Sequence, residues 1–191
     1  MAARRILIVK GSPRKNGNTS ILADLVAEGA RAQGAHVDTV LLQGMNIQPC
    51  DACDACKSRT DQGCIVQDDM QQVYPKIREA EAIVLASPVY WFTYSAQTKL
   101  FIDRGFYPTV GSDRQGMAGK QLALLMTYED ADPFISGAIN ALRAFQDMCN
   151  YMGVKIAGMV YSQAYHAGEI RNHASVMESA KQLGEKLAAP A

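Results

Sequence analysis

Four of the five cysteines, Cys50, Cys53, Cys56 and Cys64, fall within 15 residues. The first three are each three apart, with Cys64 eight further on. Thiolates at this compact Cys-x-x-Cys-x-x-Cys spacing can wrap one cubane iron–sulfur cluster. Zinc sites more commonly join two separated Cys-x-x-Cys pairs. Three readings stand: an iron–sulfur cluster, zinc, or thiols without metal. In a reducing compartment such crowding speaks for metal or redox chemistry over disulfides. Cys149 falls on a helical apolar stripe and reads as core packing.

A second candidate site is the run Gly11-Ser12-Pro13-Arg14-Lys15-Asn16-Gly17-Asn18-Thr19-Ser20, which sits between an apolar strand and a helix. A helix start offers free N–H groups and a partial positive charge, which suits a phosphate. Ser12, Asn18, Thr19 and Ser20 add short polar side chains, and Arg14 can pair with a phosphate oxygen. Gly17 is followed by Asn18-Thr19, not Lys-Ser/Thr, and G-x-G-x-x-G is absent. No acidic residue closes the second strand to grip a ribose. Neither an NTP nor a tightly held NAD is favoured. A monophosphate such as that of FMN fits a cradle of hydroxyls and amides.

The third candidate is Ser87-Pro88-Val89-Tyr90-Trp91-Phe92-Thr93-Tyr94-Ser95, which holds the only Trp among three other aromatics. Aromatic faces and backbone N–H groups suit a flat heteroaromatic ring. His166 follows the fifth strand, but a lone histidine is weak evidence for a ligand contact. Lys99 and Asp103 are spaced as an ordinary ion pair on one helix, and Arg104 beside them suits a subunit contact. No hydrolytic triad or paired-carboxylate set can be assembled.

The elements that must position these residues alternate strand and helix. Apolar runs predict strands at Arg5–Val9, Val37–Leu42, Ala82–Ala86, Gln121–Met126 and Lys155–Tyr161. Helical periods run from Asn18 to Gln33, from Asp68 past Pro75 with a kink or restart, and from Ser95 to about Arg104. Asp132-Pro133 reads as the start of the next helix, ended by Gly153, and the last begins near Asn172. Residues 43–66 form the cysteine loop, and Gly105–Lys120 reads as a long loop. Five strands alternating with helices predict a single α/β domain over residues 1–191, a doubly wound parallel sheet with helices on both faces. Ligands of such sheets bind beyond the carboxyl ends of the strands, where every loop above should gather.

Composition narrows the partners. Lys plus Arg equals Asp plus Glu at 19 each, which argues against nucleic acid and against an anionic membrane surface. The apolar run after Arg5 is too short for a secretory leader, and nothing reaches the length of a membrane span. The expected compartment is the cytoplasm.

Gly11-Ser12-Pro13-Arg14-x-x-Gly17-Asn18-Thr19, Ser87-Pro88-Val89-Tyr90-Trp91 and Lys99-x-Phe101-x-Asp103-Arg104 resemble the NADPH-dependent FMN reductase group of flavodoxin-like proteins. The cysteine block followed by Asp68-Asp69-Met70 resembles the iron–sulfur flavoprotein branch. The resemblance is specific from about Ile6 to Arg104; beyond that it rests mainly on strand–helix order. It implies a flavodoxin-like sheet of order 2-1-3-4-5, with the FMN phosphate on Ser12, Arg14, Asn18, Thr19 and Ser20. It implies the ring beside Pro88, Val89, Tyr90, Trp91 and Phe92. Thr127-Tyr128-Glu129-Asp130 would close the other side of the flavin, although this loop departs from the Gly-rich version of the group. Cys50, Cys53, Cys56 and Cys64 match the pattern for a [4Fe–4S] site. The implied activity is transfer of electrons from NAD(P)H through FMN to a quinone, flavin or iron acceptor. The alternative is an electron carrier served by a ferredoxin-type partner. The flavin carries the chemistry, so no catalytic acid or base is expected. The exposed-looking aromatics of the Trp91 loop predict a homodimer or homotetramer.

Overall fold

A computed structural model describes residues 3–58, 63–110 and 116–189. The strands β1 (Arg5–Lys10), β2 (His36–Leu41), β3 (Ala82–Tyr90), β5 (Gln121–Tyr128) and β6 (Lys155–Gln163) pair in parallel, in the order β2-β1-β3-β5-β6. Counting the parallel strands alone, this is the expected 2-1-3-4-5 order, which reverses direction at β1 and β3. A sixth strand, β4 (Thr93–Tyr94), pairs antiparallel with the end of β3.

The core follows from the pleat. Successive side chains of a strand point to opposite faces. Ile6 and Ile8 of β1 therefore face α1 (Asn18–Ala32) and α5 (Ala174–Ala188), where Leu22, Val26, Leu183 and Leu187 are buried. Leu7 and Val9 face α2 (Tyr74–Glu79), α3 (Ala96–Val110) and α4 (Ala138–Met152), against Ile77, Phe101 and Phe145. A sheet covered on both faces needs the continuous apolar runs that the sequence shows. No described helix is long and apolar enough to cross a membrane.

Three boundaries near the site differ from expectation. Strand β3 continues through Ser87-Pro88-Val89 to Tyr90, so these residues are strand and not loop. Helix α3 runs on to Val110, through what was expected as the long loop from Gly105; residues 111–115 of that loop lie outside the described residues. Pro108 sits inside α3 and has no N–H to give the carbonyl four residues back, at Arg104. The Tyr74 hydroxyl donates to that carbonyl at 2.9 Å instead, which is how the helix tolerates the proline. The segment after Asp68 restarts as expected: a 3₁₀ turn over Asp69–Gln72, then α2 with Pro75 in its first turn. Asp132 does accept from the N–H groups of Phe134 and Ile135, but Gly137 at φ +74° breaks the turn, and α4 begins only at Ala138.

Candidate active site

Four segments at the carboxyl edge of the sheet enclose a cleft of about 140 Å³. The loop after β1 contributes Ser12, Arg14, Gly17, Asn18 and Thr19. Strand β3 contributes Pro88, Val89 and Tyr90; the end of β5, Thr127, Tyr128 and Glu129; the exit of β6, Ala164 and Tyr165. Nine of the twelve residues expected around a cofactor thus line one cleft, leaving Ser20, Trp91 and Phe92 to be placed.

The first loop folds on itself. The Arg14 N–H donates to Ser12 Oγ at 3.1 Å, and the Gly17 N–H donates to the Arg14 carbonyl at 3.0 Å. Gly17 precedes α1 without a side-chain cap, and the first N–H to return to it is that of Ile21, at 3.0 Å. The N–H groups of Asn18, Thr19 and Ser20 therefore have no acceptor within the helix. The side chains of Asn18 and Ser20 are committed elsewhere. Asn18 Nδ2 donates to the carbonyls of Ala164 (3.1 Å) and His166 (2.9 Å), while its Oδ1 accepts from the Ile170 N–H at 3.3 Å. Ser20 Oγ turns back to the Arg14 carbonyl at 3.3 Å. Only the backbone of these two can reach a phosphate, and Asn18 serves as the bolt that locks the β6 exit loop onto α1. Arg14 Nη1 donates to the Tyr165 carbonyl at 3.2 Å and stays exposed at the cleft. Glu169 tightens the same exit loop by accepting from the N–H groups of Tyr165 and His166, and those bonds hold its carboxyl below the usual range.

The aromatic segment forms a two-residue hairpin. Val89 pairs with Tyr94 and Tyr90 with Thr93, leaving Trp91 and Phe92 as the turn, at φ +46° and +64°. Positive φ at both turn positions is the signature of the primed hairpin turns, which normally take Asn-Gly. For bulky L residues this backbone costs on the order of 1–2 kcal/mol each. Trp91 is 91% exposed and Phe92 is 53% exposed. They line a second hollow of about 430 Å³ with Asp130 and Ser136, which shares Val89, Tyr90 and Glu129 with the first cleft. Of the residues expected beside a flat ring, Pro88, Val89 and Tyr90 thus line the first cleft, while Trp91 and Phe92 lie outside it and form an outer rim. Phe134 and Ile135, beside Ser136, add to the exposed apolar surface there.

A hydroxyl network that the sequence reading missed joins the two loops. Ser95 Oγ donates to the Gly11 carbonyl at 2.7 Å, lies 2.9 Å from Thr98 Oγ1, and accepts from the Thr98 N–H at 3.3 Å. Ser87 Oγ accepts from the Ser95 N–H at 3.0 Å. Ser87, Ser95 and Thr98 are all buried. Gly11 fits because it has no side chain; a Cβ there would lie 1.8 Å from Thr98 Oγ1. Serines flanking an aromatic run carried the signal, but only tertiary contact with Gly11 gives it meaning.

The cysteine loop follows β2 and packs against α3, with Cys50, Ala52 and Asp54 sharing a hollow with Ile102 and Phe106 of α3 and Met148 of α4. Cys50 and Cys53 are exposed, and Cys56 and Cys64 are partly buried. Burial pushes the Cys56 thiol up, helped by the nearby thiols of Cys64, Cys50 and Cys53. Ala52 and Asp54 both take φ +56°. The donor set, four soft thiols in one loop, fits an iron–sulfur group in chemistry. Among the described residues, however, no three Cys, His, Asp or Glu side chains are gathered as a metal site requires. Cys149 is buried in the core, as expected, and burial pushes its thiol up to about 12. Arg104 is not at the surface. Its guanidinium pairs with Asp68 at 2.7 Å, the two side chains being 1% and 0% exposed, which corrects the expected subunit contact. Lys99 and Asp103 do form the surface pair, at 2.7 Å.

Comparison with known proteins converges with this geometry. A Methanosarcina thermophila iron–sulfur flavoprotein is 39% identical over 100 residues, covering 52% of this chain and 51% of that protein. The match thus spans about half the length of that relative. A Bacillus subtilis protein named as an NAD(P)H-dependent FMN-containing oxidoreductase is 29% identical over 185 residues, 94% of this chain and 96% of its own. In fold, the chain superposes on the NAD(P)H:quinone oxidoreductase of Methanothermobacter marburgensis with a TM-score of 0.75 over the whole of both chains, at 16% identity. The sequence model of the NADPH-dependent FMN reductases matches residues 4–173, and with nearly its whole length so accounted for, the chain belongs to that family of oxidoreductases.

Proposed function

We propose that the cleft binds FMN and that the chain passes electrons from NAD(P)H to a small acceptor, a quinone, a second flavin or an iron centre. One observation carries the reading. A single cleft has an uncapped helix start at one end and the Pro88–Tyr90 strand end and Tyr128-Glu129 at the other. Bound there, FMN would accept hydride and release electrons singly or in pairs.

The protein's share is placement. The N–H groups of Asn18, Thr19 and Ser20, Ser12 Oγ and the Arg14 guanidinium would receive the phosphate. Pro88, Val89 and Tyr90 would flank one side of the ring, with Tyr128 and Glu129 opposite. Trp91 and Phe92 stand where a second flat molecule would stack against the exposed side. The exposed apolar rim of Trp91, Phe134 and Ile135 supports a homodimer or homotetramer in which a second copy covers it. Light scattering at micromolar concentration tests that assembly, and a monomeric mass would refute it.

The decisive experiment is spectroscopic. Protein purified without oxygen should be yellow, with one flavin per chain, and NADH or NADPH should bleach it within seconds. A colourless chain that ignores added FMN would end the proposal. A second reading, an iron–sulfur electron carrier served by a ferredoxin-type protein, is favoured by the four thiols of one loop and by the iron–sulfur relative. It predicts stoichiometric iron and sulfide in the same preparation, together with a flavin that NAD(P)H reduces only slowly.

A further inference from the structure

The cysteine loop is closed at its neck by one guanidinium. Arg104 of α3 donates through Nη1 to Asp68 Oδ2 at 2.7 Å and to the Gln48 carbonyl, and through Nη2 to Asp68 Oδ1 at 3.3 Å. Gln48 lies just before Cys50 and Asp68 just after Cys64, so one side chain holds both ends of the loop. Asp68 completes the closure by accepting from the N–H groups of Gln48 at 2.9 Å and Met70 at 3.0 Å. The next residues in each strand of the neck pair as well. Asn46 N–H donates to Asp69 Oδ2 at 2.7 Å, and Asp69 N–H donates to the Asn46 carbonyl at 3.1 Å. Gln71 Nε2 reaches back to the Cys64 carbonyl at 2.9 Å.

The staple is costly, which argues that it serves more than packing. A buried ion pair gains little over an apolar pair of the same shape. Arg104 Nε is, besides, buried with no hydrogen-bond partner among the described residues. An apolar contact between α3 and the 3₁₀ turn would stabilise the fold as well, but it could not grip the backbone of Gln48. Ser95, just before α3, and Thr98 in its first turn brace the Gly11 loop. Ser95 and Arg104 are separated along the helix by on the order of 14 Å. One rigid element therefore holds the flavin-side loop at one point and the cysteine loop at the other.

The geometry points to Arg104 as the positioning residue of the cysteine loop: it ties the segment that carries Cys50, Cys53 and Cys56 to the one that carries Cys64, at a set distance from the cleft. The purpose of this arrangement rests on the oxidoreductase reading above, but its test does not. The alkylation rate of each cysteine is measured by mass spectrometry on the full chain as purified, for Arg104→Gln, Asp68→Asn and Arg104→Lys. The first two should raise the labelling of Cys56 and Cys64 by about fivefold or more, as local opening of the loop requires. Arg104→Lys, which keeps the charge but loses the fork, should fall between them and the parent. Cys149 should stay unlabelled throughout, and flavin content should not change. Rates for Cys56 and Cys64 within about twofold of the parent, in a variant that still protects Cys149, would overturn the assignment. Labelling of Cys149 together with the loop signals global unfolding, and the near-isosteric Asp68→Asn then decides. If that variant also exposes Cys149, Arg104 supports the whole fold and the assignment to the loop is wrong. Labelling depends on neither turnover nor flavin, so its failure is distinct from failure of the oxidoreductase reading.

Discussion

Phe92 rests on Gly137 so closely that a Cβ built at Gly137 would lie 2.4 Å from the Phe92 Cβ. Asn140, one turn into α4, fastens the same residue by donating from Nδ2 to the Phe92 carbonyl at 3.2 Å. The aromatic hairpin is therefore seated on the loop that enters α4. Gly137→Ala meets this clash and a φ of +74° at once. We expect a loss of about 1–3 kcal/mol in stability, with a changed emission spectrum of Trp91, the only tryptophan. Thermal melts and fluorescence of the variant check both, and an unaltered spectrum would show that the hairpin is not seated there.

The turn itself gives a second prediction. Replacing Trp91-Phe92 with Asn-Gly supplies the residues that a primed turn prefers and relieves the backbone cost. The double variant should gain about 1 kcal/mol or more in stability while losing turnover with aromatic acceptors. Melting temperature and KM measured side by side are the check. A variant that is both more stable and equally active would deny the rim a part in the reaction.

Thr19, buried at the start of α1, lines the cleft at the helix start where the proposed FMN phosphate would sit. Thr19→Glu places a carboxylate where the phosphate is to sit, and FMN affinity should drop by about 100-fold or more, roughly 2.7 kcal/mol. Thr19→Ser should bind nearly as the parent does. Equilibrium dialysis against FMN separates the two, and unchanged affinity in the Glu variant rules out the cradle.

Acid should reveal the Arg104–Asp68 pair. Burial alone would raise the Asp68 carboxyl, but Arg104 and the N–H groups of Gln48 and Met70 outweigh it and hold the group below its ordinary 3.8. As pH falls the unfolded chain takes up this proton first. The pair's contribution is thus complete above about pH 4 and is lost as pH drops through the folded value. Asp68→Asn should be less stable at neutral pH by about 3 kcal/mol and show a shallower decline below pH 4. Urea titrations from pH 3 to 7 provide the comparison; parallel curves for the two proteins would contradict it.

The sheet was legible because parallel strands buried on both faces must be apolar throughout, as Ile6–Val9 and Leu122–Met126 are. The β1 loop was legible because its polar run exceeds what capping needs. Local signals misled where a distant contact overrules them. Asp132 caps a turn as its chemistry says, yet Gly137 is bent to seat Phe92, and the helix waits for Ala138. Gly105–Lys120 reads as a long loop, but Tyr74 satisfies the carbonyl that Pro108 frees and the helix runs on to Val110. The Asn18 side chain reads as free for a ligand, but its amide is bonded to the carbonyls of Ala164 and His166, nearly 150 residues away. Arg104 was misplaced for the same reason: nothing near it in sequence announces Gln48 or Asp68.

The Ser87–Ser95–Thr98 network with Gly11 has a consequence for how a ligand arrives. The bonds that hold the two principal loops together are made by the protein to itself, from buried hydroxyls to backbone, and require no guest. The two loops are therefore braced by the protein's own bonds, and little chain entropy should be lost when a ligand binds between them. Association with such a braced site should be set by encounter, with no separate closing phase in the binding kinetics. Its heat capacity of binding should reflect only the surface the ligand itself buries.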